Sequence, residues 1–172
     1  MELFEAIKGR RSVRSYKEQD VPEETVDKLV EAASWAPSAG NLQPWVFVVV
    51  RNPVNRSALA EAAGQAFVGE APAVIVVCAN EERSSMGYGF RGKALFCIQD
   101  TAAAIQNVLL SAYSFGLGTC WVGTFNEDEV RKAIRAPLGM RPVAILPLGY
   151  ANGAVQPRRR RPVGQILVHE SF

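Results

Sequence analysis

The sequence is poor in the side chains that most often carry protein-based catalysis. Its 172 residues include one histidine, His169, which lies near the C-terminus without partners at metal-ligand spacing. Cys78, Cys97 and Cys120 lie far apart in apolar segments, unlike the close pairs of zinc sites and disulfide frameworks, and are predicted to be reduced core residues. No G-x-x-x-x-G-K-[ST] loop occurs. These absences argue against a metal site and a histidine-dependent triad.

Long apolar runs and strong charge are missing as well. No segment approaches the ~20 apolar residues of a membrane helix, and the start, MELFEAIKGRRSVRS, is charged within its first ten residues. We therefore expect a cytoplasmic protein with no membrane partner. The net charge of +2 is too mild to indicate nucleic acid by itself. With 48% hydrophobic residues, the whole chain, 1–172, is predicted to form one domain.

The apolar pattern predicts four helices and three strands. The segments WVFVVV and AVIVVCA do not alternate, which favours central strands buried on both faces, and PVAILPLGY is a third buried strand interrupted by Pro147. The predicted helices are a short one at residues 3–7, one from about Pro22 to Trp35, a long core helix over 94–115, and one from Asn126, with Glu129 as capping-box partner, to about Arg135. Two helices before the first strand favour an α+β layered fold.

A glycine pattern in GYGFRG is rejected as a dinucleotide-binding fingerprint. Gly87, Gly89 and Gly92 match G-x-G-x-x-G, but that motif must follow a strand directly and open a helix. Here the polar stretch NEERSSM separates it from the strand, and the expected acidic position lies inside the long helix.

Two basic segments are the strongest candidates for ligand binding. In GRRSVRSY, an extended chain would project Arg10, Ser12 and Arg14 to one side, where guanidinium forks and a hydroxyl suit a phosphate. In PRRRRP, Arg158 and Arg160 repeat this spacing between two prolines, so both segments could share one phosphate. The alternatives are a solvated basic turn and a solvated or nucleic-acid-binding tail.

The remaining pattern is typical of an enzyme whose cofactor carries the reaction. Cys120 is set aside as a nucleophile because no histidine base accompanies it. The chain thus has anion-binding segments and no evident acid, base or nucleophile, so no catalytic protein residue is predicted.

Four segments in order, RRSVRSY, APSAGNLQPWVFVVV, FGLGTCWVGTF and PLGY before PRRRRP, make the chain resemble the FMN-dependent nitroreductase family over nearly its whole length. The resemblance implies an α+β fold with a central, mostly antiparallel or mixed sheet wrapped by helices, in an intertwined homodimer with FMN at the subunit interface. It also implies roles for individual residues. The implied FMN-binding residues are Arg10, Arg11, Ser12, Arg14, Pro37, Ser38, Ala39, Asn41, Gln43, Gly123, Thr124, Arg158 and Arg160.

Within that set, the resemblance assigns Arg10, Arg11, Ser12 and the two C-terminal arginines to the phosphate side. It assigns Arg14 to the pyrimidine end, and Gly123 and Thr124 to the turn facing N5. Residues 37–41 would reach the flavin held mainly by the other subunit, with Gln43, Pro44 and Trp45 bracing the turn. Because a fixed cation stabilises the charge of reduced flavin, the placement of Arg14 is chemically consistent.

The reaction implied is hydride transfer from NADH or NADPH through flavin N5 to a nitroaromatic or quinone, with ping-pong kinetics. The alternatives are different chemistry on the same fold, such as flavin fragmentation, dehalogenation or oxidation of peptide heterocycles, and a nonenzymatic anion or nucleic-acid module. Tyr88, Phe90 and Arg91 line the pocket mouth in one interpretation and form an exposed loop in another.

Overall fold

Four antiparallel strands form one sheet in the order β1-β2-β4-β3. The computed structural model describes residues 1–171. The strands are β1 (Trp45–Val50), β2 (Ala73–Asn80), β3 (Gly118–Thr119) and β4 (Met140–Gly149). The predicted AVIVVCA strand is confirmed as a central strand, because β2 is paired on both sides and its residues 73–79 are buried.

The strand predicted at WVFVVV forms, but its predicted central position is wrong. β1 lies at the edge of the sheet and pairs only with β2, and Val46 and Val49 are exposed. A continuous apolar run cannot reveal which strand lies at an edge, since it records only that both faces favour apolar contact.

The predicted interruption at Pro147 is also wrong. β4 continues through Pro147, which lies opposite Val74 in the ladder with β2. Strand pairing continues because successive residues of an antiparallel strand direct their hydrogen-bonding groups to opposite neighbours, so a missing N–H affects only one side.

In residues 1–171, seven α-helices surround the sheet. They are α1 (Leu3–Gly9), α2 (Glu23–Ser34), α3 (Pro53–Ala63), α4 (Phe67–Glu70), α5 (Glu81–Arg91), α6 (Cys97–Ser114) and α7 (Glu127–Ile134). Short helical turns cover Ala39–Asn41, Gly92–Phe96 and Val163–Gln165. The four predicted helices are confirmed as α1, α2, α6 and α7. At α7, Asn126 Oδ1 accepts the N–H groups of Asp128 and Glu129, so Asn126 is the N-cap.

Helices cover both faces of the sheet, and each face has its own apolar cluster. On one face, Ile75 and Leu146 pack with Ile105 of α6 and Leu29 of α2. On the other face, Val74, Val76 and Ile145 pack with Leu59 of α3 and Val130 of α7. The alternation along β2 and β4 divides the core into these two layers. The predicted α+β class with an antiparallel sheet wrapped by helices is confirmed.

The segment over residues 81–93 is a helix, where an exposed loop was one of the two expectations. Asn80 caps α5 by accepting the Arg83 N–H at 2.9 Å, and the helix is kinked at Tyr88 and Gly89. Gly87 and Gly89 therefore lie inside α5, and Gly92 directly follows it. A dinucleotide-binding fingerprint would instead precede and open a helix, so the structure agrees with the rejection of that motif.

Helical residues 81–114 form the one stretch of the described chain that is long and apolar enough to count as a candidate membrane span. Its α6 portion is the core helix, with Ala104, Ile105 and Val108 fully buried.

The C-terminal segment after β4 is exposed. Residues 152–171 are exposed throughout, and Val163, Ile166, Leu167 and Val168 present apolar side chains to solvent. Phe172 lies outside the described residues.

Candidate functional site

The two basic segments line one cavity of about 350 Å³. Its lining residues are Arg10, Arg11, Ser12, Arg14, Val155, Gln156, Pro157, Arg158 and Arg160. Six of these were selected from the sequence as candidate phosphate-binding or flavin-binding residues. The structure thus brings together segments that are almost 150 positions apart, and every ionisable residue in this lining is an arginine.

The positive charges in this cavity are not compensated. Partial burial lowers the pKa of Arg10, and the charges of Arg160 and then Arg11 lower it further. Arginine nevertheless stays charged in proteins, so the cluster is an electrostatic cost until an anion neutralises it. A phosphate matches this lining, since it accepts bidentate hydrogen bonds from guanidinium groups and a further bond from the Ser12 hydroxyl.

The N-terminal arginines project from a fixed backbone. Ser12 forms a parallel bridge with Thr119, and the Val13 N–H donates to the Thr119 carbonyl at 2.9 Å. The buried Tyr16 hydroxyl donates to the carbonyls of Val13 at 2.8 Å and Pro147 at 3.2 Å. These bonds hold the segment beside β3 and the end of β4, so the arginines are positioned by the sheet.

The glycine of β3 allows this close approach. A Cβ atom on Gly118 would lie 2.6 Å from a Val13 methyl group, which real side chains do not tolerate. The Gly118 position therefore permits residues 12–14 to lie against the sheet.

Arg14, which is exposed, lies near the buried thiol of Cys120. The Arg14 guanidinium carbon is 5.9 Å from the centre of the Phe67 ring, a cation–π contact. Burial raises the pKa of Cys120, although Arg14, Ser12 and Arg10 oppose this. A protonated, buried thiol agrees with the interpretation of Cys120 as an inert core residue.

The APSAGNLQPW segment forms a rigid, partly exposed turn. Gly40, Asn41 and Gln43 have φ values of 55°, 56° and 49°, in the left-handed region. The Gln43 N–H donates to Ser38 Oγ at 3.0 Å, and its side-chain amide donates to Asn41 Oδ1 at 3.0 Å. These two bonds hold Gln43 against the start of the turn, and its role toward the flavin stays a prediction. Pro37 precedes the turn and is exposed.

α5 packs directly on this turn. The Arg83 Nε donates to the Leu42 carbonyl, and the Tyr88 hydroxyl lies beside Gly40, where an added Cβ would be 2.8 Å away. Ala39 is held from the other side, because its N–H donates to Oδ1 of Asp100 on α6 at 3.1 Å.

Gly123 lies away from the basic cavity. It lines a second cavity, of about 360 Å³, with Ile98, Phe125, Glu127, Arg141, Pro142 and Val143. Thr124 follows it and is exposed. The three predicted groups, namely the arginines, the 37–43 turn and Gly123 with Thr124, are thus not collected in any one of the described cavities.

Sequence reasoning missed several residues that shape the site. Gln156 and Pro157 line the basic cavity, and Arg83 and Asp100 hold the turn. Asp100 could have been identified from the sequence. It lies three residues after Cys97 and four before Ala104, so helical spacing places its carboxyl group on the apolar face of the predicted core helix. In residues 1–171, no group of three or more His, Cys, Asp or Glu is arranged to hold a metal ion.

Known proteins share this fold and sequence. A model of the nitroreductase family matches residues 7–67 and 60–150. A protein of Methanothermobacter thermautotrophicus whose name includes NAD(P)H nitroreductase is 39% identical over 155 residues, 87% of this chain and 78% of the relative. The chain belongs to the nitroreductase family, which confirms the predicted family.

Two solved structures extend the comparison. A Parabacteroides distasonis protein, also named for NADH dehydrogenase and NAD(P)H nitroreductase activity, has a TM-score of 0.88 and 32% identity, covering 99% of this chain and 98% of that one. An FMN-dependent nitroreductase of Clostridium difficile has a TM-score of 0.84 and 25% identity, covering 98% and 99%. The predicted cofactor and electron donor agree with these names.

Proposed function

We propose that this protein is an FMN-dependent NAD(P)H oxidoreductase that works as a homodimer. The observation that carries the proposal is the basic cavity, in which Arg10, Arg158 and Arg160 converge without a counter-charge. Its guanidinium and hydroxyl donors match the phosphate of FMN. Family membership supports the same cofactor and the same class of reaction.

The residues of this chain bind and orient the cofactor. Arg10, Arg158 and Arg160 neutralise the phosphate, and the Ser12 hydroxyl donates to a phosphate oxygen. Arg14 provides a fixed positive charge further along the same segment, and the exposed turn at Ser38 to Gln43 offers polar groups to the ring system. Held by these residues, FMN would supply the hydride-transfer chemistry between the nicotinamide and the acceptor.

Three unpartnered features support a homodimer. α1 exposes Leu3, Phe4 and Ile7, and the outer edge of β1 exposes Val46 and Val49. The C-terminal segment exposes four further apolar residues. Apolar surface of this extent favours burial against another chain, and a second copy is also what would bring the separated site groups together.

We propose a nitroaromatic or a quinone as the acceptor. If donor and acceptor react at the same ring one after the other, ping-pong kinetics are expected. The absence of a predicted nucleophile is consistent with this, since the protein positions groups and the cofactor carries the reaction. The single-domain organisation and the cytoplasmic location stay predictions.

The test is a flavin and turnover assay on the purified full-length protein. We expect a yellow protein that bleaches on addition of NADH or NADPH, and parallel double-reciprocal lines with a nitroaromatic or quinone acceptor. Colourless protein that does not bind added FMN would overturn the proposal. Retained flavin without turnover of either acceptor would instead favour other flavin chemistry, such as dehalogenation or flavin fragmentation.

The nonenzymatic alternative makes a different prediction. An anion or nucleic-acid module would bind its partner without flavin, and that binding would weaken steeply with salt. A flavin-free preparation titrated with single-stranded nucleic acid at two salt concentrations tests this. Tight, salt-sensitive binding in the absence of flavin would favour the module over the enzyme.

A further inference from the structure

A buried carboxyl group lies directly beneath the turn at residues 38–43. Asp100 is only 7% exposed and sits on the core helix α6. Its Oδ1 accepts the Ala39 N–H at 3.1 Å, across 61 positions of sequence, whereas its buried Oδ2 has no hydrogen-bond partner. Asp100 therefore joins the apolar core to the exposed polar turn through one hydrogen bond.

This arrangement is costly for the core. A carboxyl group in a buried position loses hydration, and one bond to a neutral amide does not replace it. Consistent with this, burial raises the pKa of Asp100, and the Ala39 N–H opposes that shift. An apolar residue at this position of α6 would suit the surrounding core better. The reason for a carboxyl group here is therefore sought in its hydrogen bond to the turn.

The turn bonded to Asp100 has an unfavourable backbone conformation. Asn41 and Gln43 adopt left-handed φ values, which cost energy for residues other than glycine. Ser38 Oγ and the Arg83 guanidinium restrain the later part of the turn, at Gln43 and Leu42. Asp100 restrains Ala39, near the start of the turn. The turn is thus fixed at its beginning by the core and at its end by α5.

We propose that Asp100 is a positioning residue for FMN, holding Ala39 so that the turn presents its polar groups to the cofactor. The inference rests on the proposed function and adds a residue to that site. Asp100 acts through Oδ1 and its bond to the Ala39 N–H; it does not itself touch the cofactor.

The test compares FMN affinity with folding stability in deflavinated full-length protein. Asp100→Ala removes the acceptor and is expected to raise the Kd for FMN by about tenfold, the loss of one hydrogen bond to a charged group. The thermal midpoint of the flavin-free protein is expected to stay the same or rise. Asp100→Asn keeps an acceptor oxygen without the charge and is expected to raise the Kd by only about threefold.

A second variant removes the donor without changing the core. Ser38 is extended, with φ −144° and ψ 153°, as a residue before proline requires. Ala39→Pro therefore removes the N–H at the first helical position, where proline is tolerated. It should weaken FMN binding as much as Asp100→Ala, and the double variant should lose no more than either single variant.

Thr101→Val is the matched control. Thr101 is the buried neighbour of Asp100, and its hydroxyl bonds only within the helix, to the carbonyls of Cys97 and Ile98. This control should leave the FMN Kd unchanged. Wild-type affinity in Asp100→Ala, or equal losses in Asp100→Asn and Asp100→Ala, would overturn the role of Asp100 alone. Failure of the unmodified protein to bind FMN would overturn the proposed function and this inference together.

Discussion

Removing two arginines from the C-terminal side of the basic cavity tests the phosphate assignment most directly. Arg158 and Arg160 line the cavity together with Arg10, whose pKa is lowered in part by the charge of Arg160. In the variant R158A/R160A, a bound phosphate would keep Arg10 and Ser12 but lose both donors from the C-terminal segment.

The size of the effect follows from the exposure of the two side chains. A hydrogen bond to a charged group contributes about 1.5 to 3 kcal/mol, and the lower value applies to exposed arginines such as these. The pair thus contributes about 3 kcal/mol, which corresponds to a rise of about 150-fold in the Kd for FMN. The free energy of unfolding should change little, because both side chains lie outside the apolar core.

The assay is titration of the flavin-free protein with FMN, followed by quenching of flavin fluorescence, at low and high salt. The control is R159A/R161A, which removes the same charge from the same segment, although neither residue lines the cavity. It also removes the hydrogen bond from Arg161 to the Gln165 carbonyl, so it shows whether a change in the conformation of the C-terminal segment alone alters the Kd for FMN. Equal losses in both double variants would indicate diffuse electrostatic attraction, and an unchanged Kd in R158A/R160A would refute the phosphate assignment.

Two further predictions concern the sheet. Gly118→Ala should destabilise the fold by about 1 to 3 kcal/mol and weaken FMN binding, because the added Cβ would clash with Val13. Denaturant unfolding measures the first effect and FMN titration the second. Gly164→Ala is the control and should be neutral, because nothing lies near that position. Burial raises the pKa of Cys78 to about 11 from 9.0, so the folded thiol keeps its proton where the unfolded thiol loses it. Stability should therefore fall as the pH rises between these values, by up to about 1.4 kcal/mol per pH unit; Cys78→Ala should show a shallower decline in denaturant midpoint, and parallel curves would contradict this.

The sequence predicted elements well where a long pattern or a cap determined them. The apolar spacing of α6 and the cap at Asn126 depend on neighbours in the chain, and both are found in the structure. The helix α3 was not predicted, although Asn52 accepts the N–H groups of Val54 and Asn55 and Pro53 occupies the first turn. Asn52 followed by Pro53 is a typical start of a helix, but the prediction used only the spacing of apolar residues.

Long-range arrangement was harder to predict. The position of β1 at the edge depends on which strands pair, and the tether from Asp100 to Ala39 spans α6 and the turn. Neither is encoded in local periodicity. For the candidate site, the spacing of Arg10, Ser12 and Arg14 was enough to identify a basic segment. The sequence also suggested that this segment and the C-terminal arginines could share one phosphate, and the structure brings them together because the residues after β4 bond to the N-terminal segment, at Tyr16 with Ala151 and at Ser15 with Asn152.

Pro147 leaves a gap in the hydrogen bonding on one side of β4. Ile145 and Val122 exchange backbone hydrogen bonds at 3.0 and 2.9 Å, so residue 147 faces the same neighbour, opposite Cys120. Proline has no N–H to offer there, and its carbonyl accepts the Tyr16 hydroxyl instead. The stretch from Gly118 to Val122 consequently pairs with β4 at both ends, at Gly149 and Ile145, but not in the middle, at Pro147. A missing donor in the strand thus leaves a carbonyl free for Tyr16, and this side chain fixes the segment that carries Arg10 and Arg14 against β4.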